Sequence, residues 1–203
     1  MSMITLYGPR MGSSLRPHWM LAELGVEYTT KDVDLRKGEH RTPEYLALNP
    51  TGQVPTIEVD GFILAESLAI TRYLAAKFQP AMNGRTLEEQ AKGAQWELWA
   101  MLGLQQHLST IASQKWTGVM NPEGEAKARE ILAKHFPILE TYLGTTAFLA
   151  GDVFTTADLN ACVTLSYTGF IGYDLSVFPN IQRWMSACTT RPAYLAVQAK
   201  VTA

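Results

Sequence analysis

The segment "GSSLR", residues 12–16, sets two hydroxyl groups where an apolar strand hands over to a helix. A helix N-terminus leaves amide N–H groups unpaired and carries partial positive charge, so it stabilises a nearby anion. Serine is also a favoured helix cap, and Ser13 and Ser14 fit either role. "ESLAI" at 66–70 poses the same choice. Ser67 either caps the helix that follows or offers its hydroxyl and amide to a carboxylate, with Glu66 beside it for an ammonium group. A ligand with a free amino acid end fits the pair. His40, in "GEH", sits in a loop, where it meets either solvent or a ligand. Between these lies "NPTGQVPTIEVDG", residues 49–61, with Pro55 set directly against a strand. Proline cannot donate to a ladder and is the residue that makes a cis peptide accessible, which leaves the Val54 backbone open to an extended partner. In the second half, Trp116 follows an apolar run (Trp96, Trp99, Met101, Leu102, Leu104) and suits the wall of an apolar pocket or the helical core.

The elements that must hold these residues are legible from periodicity and punctuation. "MITLY" (3–7) reads as a strand, 15–25 as a helix stopped by Gly25, and 27–35 as a β-branched second strand. Thr42 and Pro43 open a short helix to 48; "VPTIEV" and "FILA" flank the hairpin signal Asp60-Gly61; 67–78 is amphipathic. The order βαβ, helix, β-hairpin, helix predicts a thioredoxin-like α/β domain over 1–79, its first two strands parallel. A Pro/Asn/Gly linker follows, and 86–203 reads as an all-helical domain. Its helices run from the Thr86/Glu89 capping box to about Lys115, from Asn121-Pro122 to Leu143, from the Thr155/Asp158 box to about Phe170, and onward from Pro179 and Pro192.

With 203 residues, 47% apolar, the chain can bury a substantial core. A net charge of -2 gives no electrostatic reason to expect nucleic acid or an anionic membrane. The two cysteines, Cys162 and Cys188, fall late and in helical segments, which suits a reducing compartment rather than a disulfide framework. No Cys/His cluster suggests a metal, no apolar run approaches a membrane span, and no leader is apparent, so the expectation is a cytoplasmic protein.

In this order the motifs resemble the cytosolic glutathione transferase family, and its bacterial or theta-like, serine-type members in particular. The resemblance covers essentially the whole chain. It is carried by "LYG" with the serines ahead of Arg16, by "LAELGVEY", and by "GEHRTPEYLALNPTGQVPTIEVDGFILAESLAITRYLAAKF". "LAGDVFTTADL" and "FPNIQRWMSACTTRPAY" continue it. The resemblance implies that glutathione is a co-substrate, with no permanent cofactor and no metal. Pro55 would be cis and Val54 would pair its backbone with the cysteinyl unit, as an added strand does. Glu66 and Ser67 would hold the γ-glutamyl end, and Gln53, His40 and Arg41 would lie near the glycine carboxylate. The Thr155/Asp158 box matches a structural motif. A homodimer and a small hydrophobic electrophile are implied as partners, the latter in a pocket supplied by the helical domain.

One position departs from the pattern. Serine-type members carry the catalytic serine five residues after the strand tyrosine, and counting from Tyr7 gives Gly12. Ser13, Ser14 or backbone N–H groups remain to activate the thiol, with Ser13 preferred. A free thiol titrates near pH 8.5, and a hydrogen bond to the thiolate worth roughly 1.5–3 kcal/mol lowers that by about one to two pH units. The activated sulfur would attack an electrophilic carbon. Two other readings stand beside it: a glutathione-dependent disulfide reductase or peroxidase, and a non-catalytic binder of the same fold.

Overall fold

The computed structural model describes residues 2–201. Strand β1 (Ile4–Tyr7) leads through a 3-10 turn (Gly12–Ser14) into α1 (Leu15–Glu23) and the short strand β2 (Thr29–Lys31). Helix α2 (Pro43–Leu48), strands β3 (Thr56–Val59) and β4 (Phe62–Ala65), and α3 (Ser67–Phe78) complete this half. The sheet order is β2-β1-β3-β4, with β1 and β2 parallel and the other pairs antiparallel. The thioredoxin-like expectation therefore holds, hairpin included. Asp60 and Gly61 take φ 53° and 84°, the paired positive values of a type I′ turn.

Strand β2 is shorter than the expected 27–35, because Asp34 turns the chain. Its Oδ1 accepts from the amides of Arg36 (2.9 Å) and Lys37 (3.2 Å), a local alternative to ladder pairing. Leu6, Trp19, Met20, Leu21, Ile57, Ile70 and Leu74 are fully buried and seal α1 and α3 onto the sheet. Each such side chain contributes about 1.5–3 kcal/mol through burial.

The helical half runs through α4 (Leu87–Ala100), a π turn (Met101–Gln105), α5 (Gln106–Thr117), α6 (Pro122–Leu143), α7 (Thr156–Leu165), α8 (Tyr167–Ile171), α9 (Pro179–Thr189) and α10 (Pro192–Ala199). The π turn interrupts a segment whose periodicity predicted one helix. The run expected from 155 to 170 breaks at Ser166, whose hydroxyl donates to the Val163 carbonyl (2.8 Å). By packing, the chain forms two units: residues to Met82 together with those from Arg191 onward, and Asn83–Thr190. The last helix thus groups with the first unit, whereas the sequence assigned all of 86–203 to the helical domain. The cause is a clamp on α1. Arg191 donates through Nε and Nη2 to the two oxygens of Glu23, both at 2.7 Å, and Tyr194 packs edge-on against Trp19 at 4.7 Å.

In the second unit the capping box closes around Asp158, which is fully buried. Its carboxylate accepts from the amides of Leu149 (2.8 Å) and Thr155 (2.9 Å), the Thr155 hydroxyl (3.1 Å) and Trp184 Nε1 (2.8 Å). Burial pushes its pKa up to about 6 against the pull of these donors, so the group is ionised at neutral pH. Asp158→Ala leaves the four donors buried without an acceptor, and we expect a loss of about 3–5 kcal/mol, read from the midpoint of urea unfolding.

Candidate active site

The candidate residues converge on one edge of the first unit, and Gly8 shows how tightly. At φ +136° its backbone occupies a region that side chains rarely enter. A Cβ there would stand 2.6 Å from Ser14 Oγ and 3.4 Å from Val54 Cβ. The end of β1, the start of α1 and the loop before β3 therefore meet at residue 8 with no room between them.

The two serines separate on this geometry. Ser14 is fully buried, and its hydroxyl has no hydrogen-bond partner among the described residues. Ser13 is half-buried, and no partner among the described residues holds its hydroxyl. Both belong to the turn Gly12–Ser14 that feeds the first turn of α1, where Gly12 has φ 58°. Of the pair, Ser13 presents a reachable O–H. Ser14 fills the gap beside Gly8 and Val54.

The peptide Val54–Pro55 is cis. Thr56, the first residue of β3, pairs with Tyr7 on one side and Ala65 on the other. Val54 stands just outside that ladder, and among the described residues nothing pairs with its N–H or C=O. The loop leading to it is fastened from beneath. The Gln53 carbonyl accepts from Tyr45 Oη (2.7 Å) and Asn49 Nδ2 (2.8 Å), and the Tyr45 hydroxyl also meets Thr56 Oγ1 at 3.0 Å. The Gln53 side chain is exposed.

Because Thr56 and Ala65 are cross-strand partners, β4 ends beside this loop, and Glu66 and Ser67 follow at once. Glu66 takes φ 68°, an uncommon backbone for a side-chain-bearing residue, and is exposed. The side chain of its N-cap residue, Glu66, makes no capping hydrogen bond. Ser67 is buried, and its Oγ accepts from Arg16 Nη1 at 3.3 Å. That bond uses the oxygen lone pair side of the hydroxyl and leaves its O–H without an acceptor among the described residues. Arg16 itself is fully buried.

His40 and Arg41 form one short helical turn, Glu39–Arg41. His40 is half-buried, its Nδ1 sealed without a partner among the described residues. Arg41 is exposed and donates to the Thr51 carbonyl (3.3 Å), over Gly52 and so next to Gln53. The structure thus brings Ser13, Ser14, Val54, Pro55, Glu66 and Ser67 to one place, with Gln53 and Arg41 bordering it. Trp116 lies in the other unit, in the last turn of α5, half exposed near exposed Val119 and Met120.

Sequence reasoning passed over Arg16, His18 and Tyr45. The available signal was polarity in the wrong place: "LRPHW" puts an arginine and a histidine on a helix start whose surroundings are apolar, and both are fully buried. His18 bonds Tyr28 Oη through Nδ1 (2.9 Å) and the Gly8 carbonyl through Nε2 (3.3 Å). Burial, with the Arg10 charge nearby, lowers its pKa from 6.5 to about 4, so the ring is neutral at ordinary pH. Among the described residues no three His, Cys, Asp or Glu side chains gather as a metal would require.

Comparison with known proteins agrees with this architecture. Residues 2–76 match the family described as "Glutathione S-transferase, N-terminal domain", and residues 106–192 match "Glutathione S-transferase, C-terminal domain". The chain is 32% identical to glutathione S-transferase F10 of Arabidopsis thaliana, over 97% of each chain. Glutathione transferase F7 of Populus trichocarpa superposes with a TM-score of 0.89 at 29% identity, covering 98% of this chain and 99% of that one. A glutathione S-transferase-I structure bound with lactoylglutathione superposes with a TM-score of 0.87 at 29% identity, covering 97% and 98%. These relatives include plant F-type enzymes and give no support to the bacterial or theta-like subclass expected from the sequence.

Two outcomes follow from the geometry alone. Ser14→Ala removes an unsatisfied buried hydroxyl and leaves only the small gap of one oxygen beside Gly8, so it raises the unfolding free energy by less than about 1 kcal/mol in denaturant titration. For His18, the unfolded chain takes up a proton near pH 6.5 and the folded one only near 4. Stability therefore rises with pH across that window and is lost as pH falls from 6.5 towards 4, by up to roughly 3 kcal/mol. Unfolding midpoints across the window check it, and in His18→Gln that component disappears.

Proposed function

The chain belongs to the glutathione S-transferase family and is a glutathione transferase, and we propose that Ser13 activates the glutathione thiol for attack on small hydrophobic electrophiles. The observation that carries this reading is the half-buried hydroxyl of Ser13, without a partner among the described residues, beside Ser14, which meets Gly8 together with a Val54 whose backbone likewise has no partner among them. An extended tripeptide backbone would complete the Val54 ladder and bring its cysteinyl sulfur towards the Gly12–Ser14 turn. The Ser13 O–H then donates to the sulfur, and the amides of the first turn add partial positive charge. Both stabilise the thiolate over the thiol. Ser14, buried, serves packing in this reading rather than catalysis.

The γ-glutamyl end suits the start of α3. Its carboxylate would accept from the Ser67 O–H, which has no acceptor among the described residues, and from the first-turn amides, which the N-cap Glu66 side chain does not cap. The exposed Glu66 carboxylate would take the ammonium group. Gln53, His40 and Arg41 would meet the glycine end, where Arg41 supplies the positive charge. In this reading no permanent cofactor or metal takes part; glutathione is a co-substrate.

For the electrophile we assign an apolar pocket wall to Trp116, which the exposed Val119 and Met120 support. A homodimer is the expected assembly. Exposed Phe62 and Ile63 on β4, and Leu98 on α4 with Leu102 in the π turn, are apolar surface of the kind that such an assembly covers. Among the described residues no helix is long and apolar enough to cross a membrane. With buried thiols at Cys162 and Cys188, this supports a cytoplasmic location. We assign it neither nucleic acid nor membrane as a partner.

Ser13→Ala is expected to raise the pKa of the bound thiol by about one unit, and so to lower kcat/KM at neutral pH by about three- to eightfold. Titration of the thiolate absorbance of bound glutathione and the pH–rate profile for an aryl halide both read it. An unchanged profile removes Ser13 from the chemistry. Assaying a small disulfide substrate in parallel separates conjugation from reduction.

A further inference from the structure

Residues Gly8 to Gly12 form the span that carries the chain from β1 to Ser13, and a closed set of bonds holds it from behind. The Gly8 amide donates to the Lys31 carbonyl (3.0 Å), and the Gly8 carbonyl faces His18 Nε2 (3.3 Å). A carbonyl oxygen only accepts, so Nε2 carries the proton. In a neutral ring Nδ1 is then the acceptor, and the Tyr28 hydroxyl donates to it at 2.9 Å. The Tyr28 oxygen in turn faces the Arg10 side chain, which also donates through Nη2 to Thr30 Oγ1 at 3.0 Å. Gly8 and Arg10 belong to the same span. The chain of contacts therefore leaves the loop at Gly8, passes through His18 and Tyr28, and returns to it at Arg10.

We propose that His18, oriented by Tyr28, is a positioning residue for the thiol-activating turn. By fixing the Gly8 carbonyl, it sets where the Ser13 hydroxyl stands. The inference rests on the Ser13 reading above.

Several features favour this role over simple space-filling. The imidazole is fully buried, both nitrogens are used, and one of its two partners is the backbone of the loop itself. An apolar residue would satisfy the core equally well but would leave the Gly8 carbonyl and the Tyr28 hydroxyl without their bonds. Arg10 brings a positive charge close to His18 and helps to keep the ring neutral, the state in which Nδ1 can accept. Displacement of a reacting group by about 1 Å can cost on the order of a hundredfold in rate, so one bond to the loop is enough to matter.

The test compares His18→Phe, His18→Gln and Tyr28→Phe in the full-length protein. His18→Phe is expected to raise the pKa of bound glutathione and to lower kcat for an aryl halide about tenfold, with KM for glutathione changed by less than about threefold. His18→Gln keeps an N–H for the Gly8 carbonyl and restores most of both losses. Tyr28→Phe, a smaller change should His18→Phe fail to fold, gives a partial rise in thiol pKa. Nitrogen NMR of the wild type should show a protonated Nε2 and a lone pair on Nδ1 at neutral pH. If the His18 and Tyr28 variants lose thermal stability while the thiol pKa and kcat stay put, the residue is structural and the inference falls. Ser13→Ala separates the two ideas: an unmoved thiol pKa there overturns the Ser13 reading itself.

Discussion

No side chain fits at residue 8. The Ser14 hydroxyl already stands 2.6 Å from where its Cβ would sit, and Val54 Cβ lies in van der Waals contact at 3.4 Å. Three segments that are distant in sequence meet here: the end of β1, the entry to α1 and the loop that turns through the cis Val54–Pro55 peptide. Each brings one component of the candidate site. The turn brings a reachable hydroxyl, the loop an unpaired stretch of backbone, and β1 the register that places β3, and hence β4 and Ser67, alongside. The site is the consequence of a close approach that only glycine allows, at a φ that only glycine adopts readily.

Adjacent serines with opposite exposure suit different roles. A buried hydroxyl without a partner costs free energy and can reach no ligand, and Ser14 is in that position. Its neighbour, one residue earlier on the same 3-10 turn, keeps contact with solvent. The same sorting appears at the start of α3. There the Ser67 oxygen is consumed by Arg16, while the O–H and the helix amides stay available. In the proposed reading, hydrogen-bond directionality makes this serine a donor to an anionic ligand end.

Much of this was legible in the amino-acid order. Strand and helix periods, Asp60-Gly61 and the capping boxes gave the two halves and the sheet. What escaped depended on partners far away in sequence. Asp34 ended β2 through bonds to its own turn, against the β-branched pattern around it. The π turn at Met101–Gln105 contains no proline to mark it in the amino-acid order. The terminal helix joined the first unit because Arg191 found Glu23, a pairing over 168 residues that no local signal announces. Ser13 could not be told from Ser14 without knowing which of them faces Gly8. His18 read as one more helix residue until its two ring nitrogens were matched to their partners.

The buried polar groups of the first unit share a direction. Arg16 reaches the start of α3, His18 the carbonyl of Gly8, and Tyr45 and Asn49 the carbonyl of Gln53. Each bond ends on a segment that carries a candidate binding group. Buried polar groups add little net stability compared with apolar packing, so their concentration on these segments favours a positional role. Arg16, His18 and Glu23 all belong to helix α1. It is tied at its first turn by Arg16, in its middle by His18, and at its end by Glu23 to Arg191. A helix fixed at three points along its length cannot tilt to relieve a change at its N-terminus. The turn that carries Ser13 is thereby held at that end of the helix.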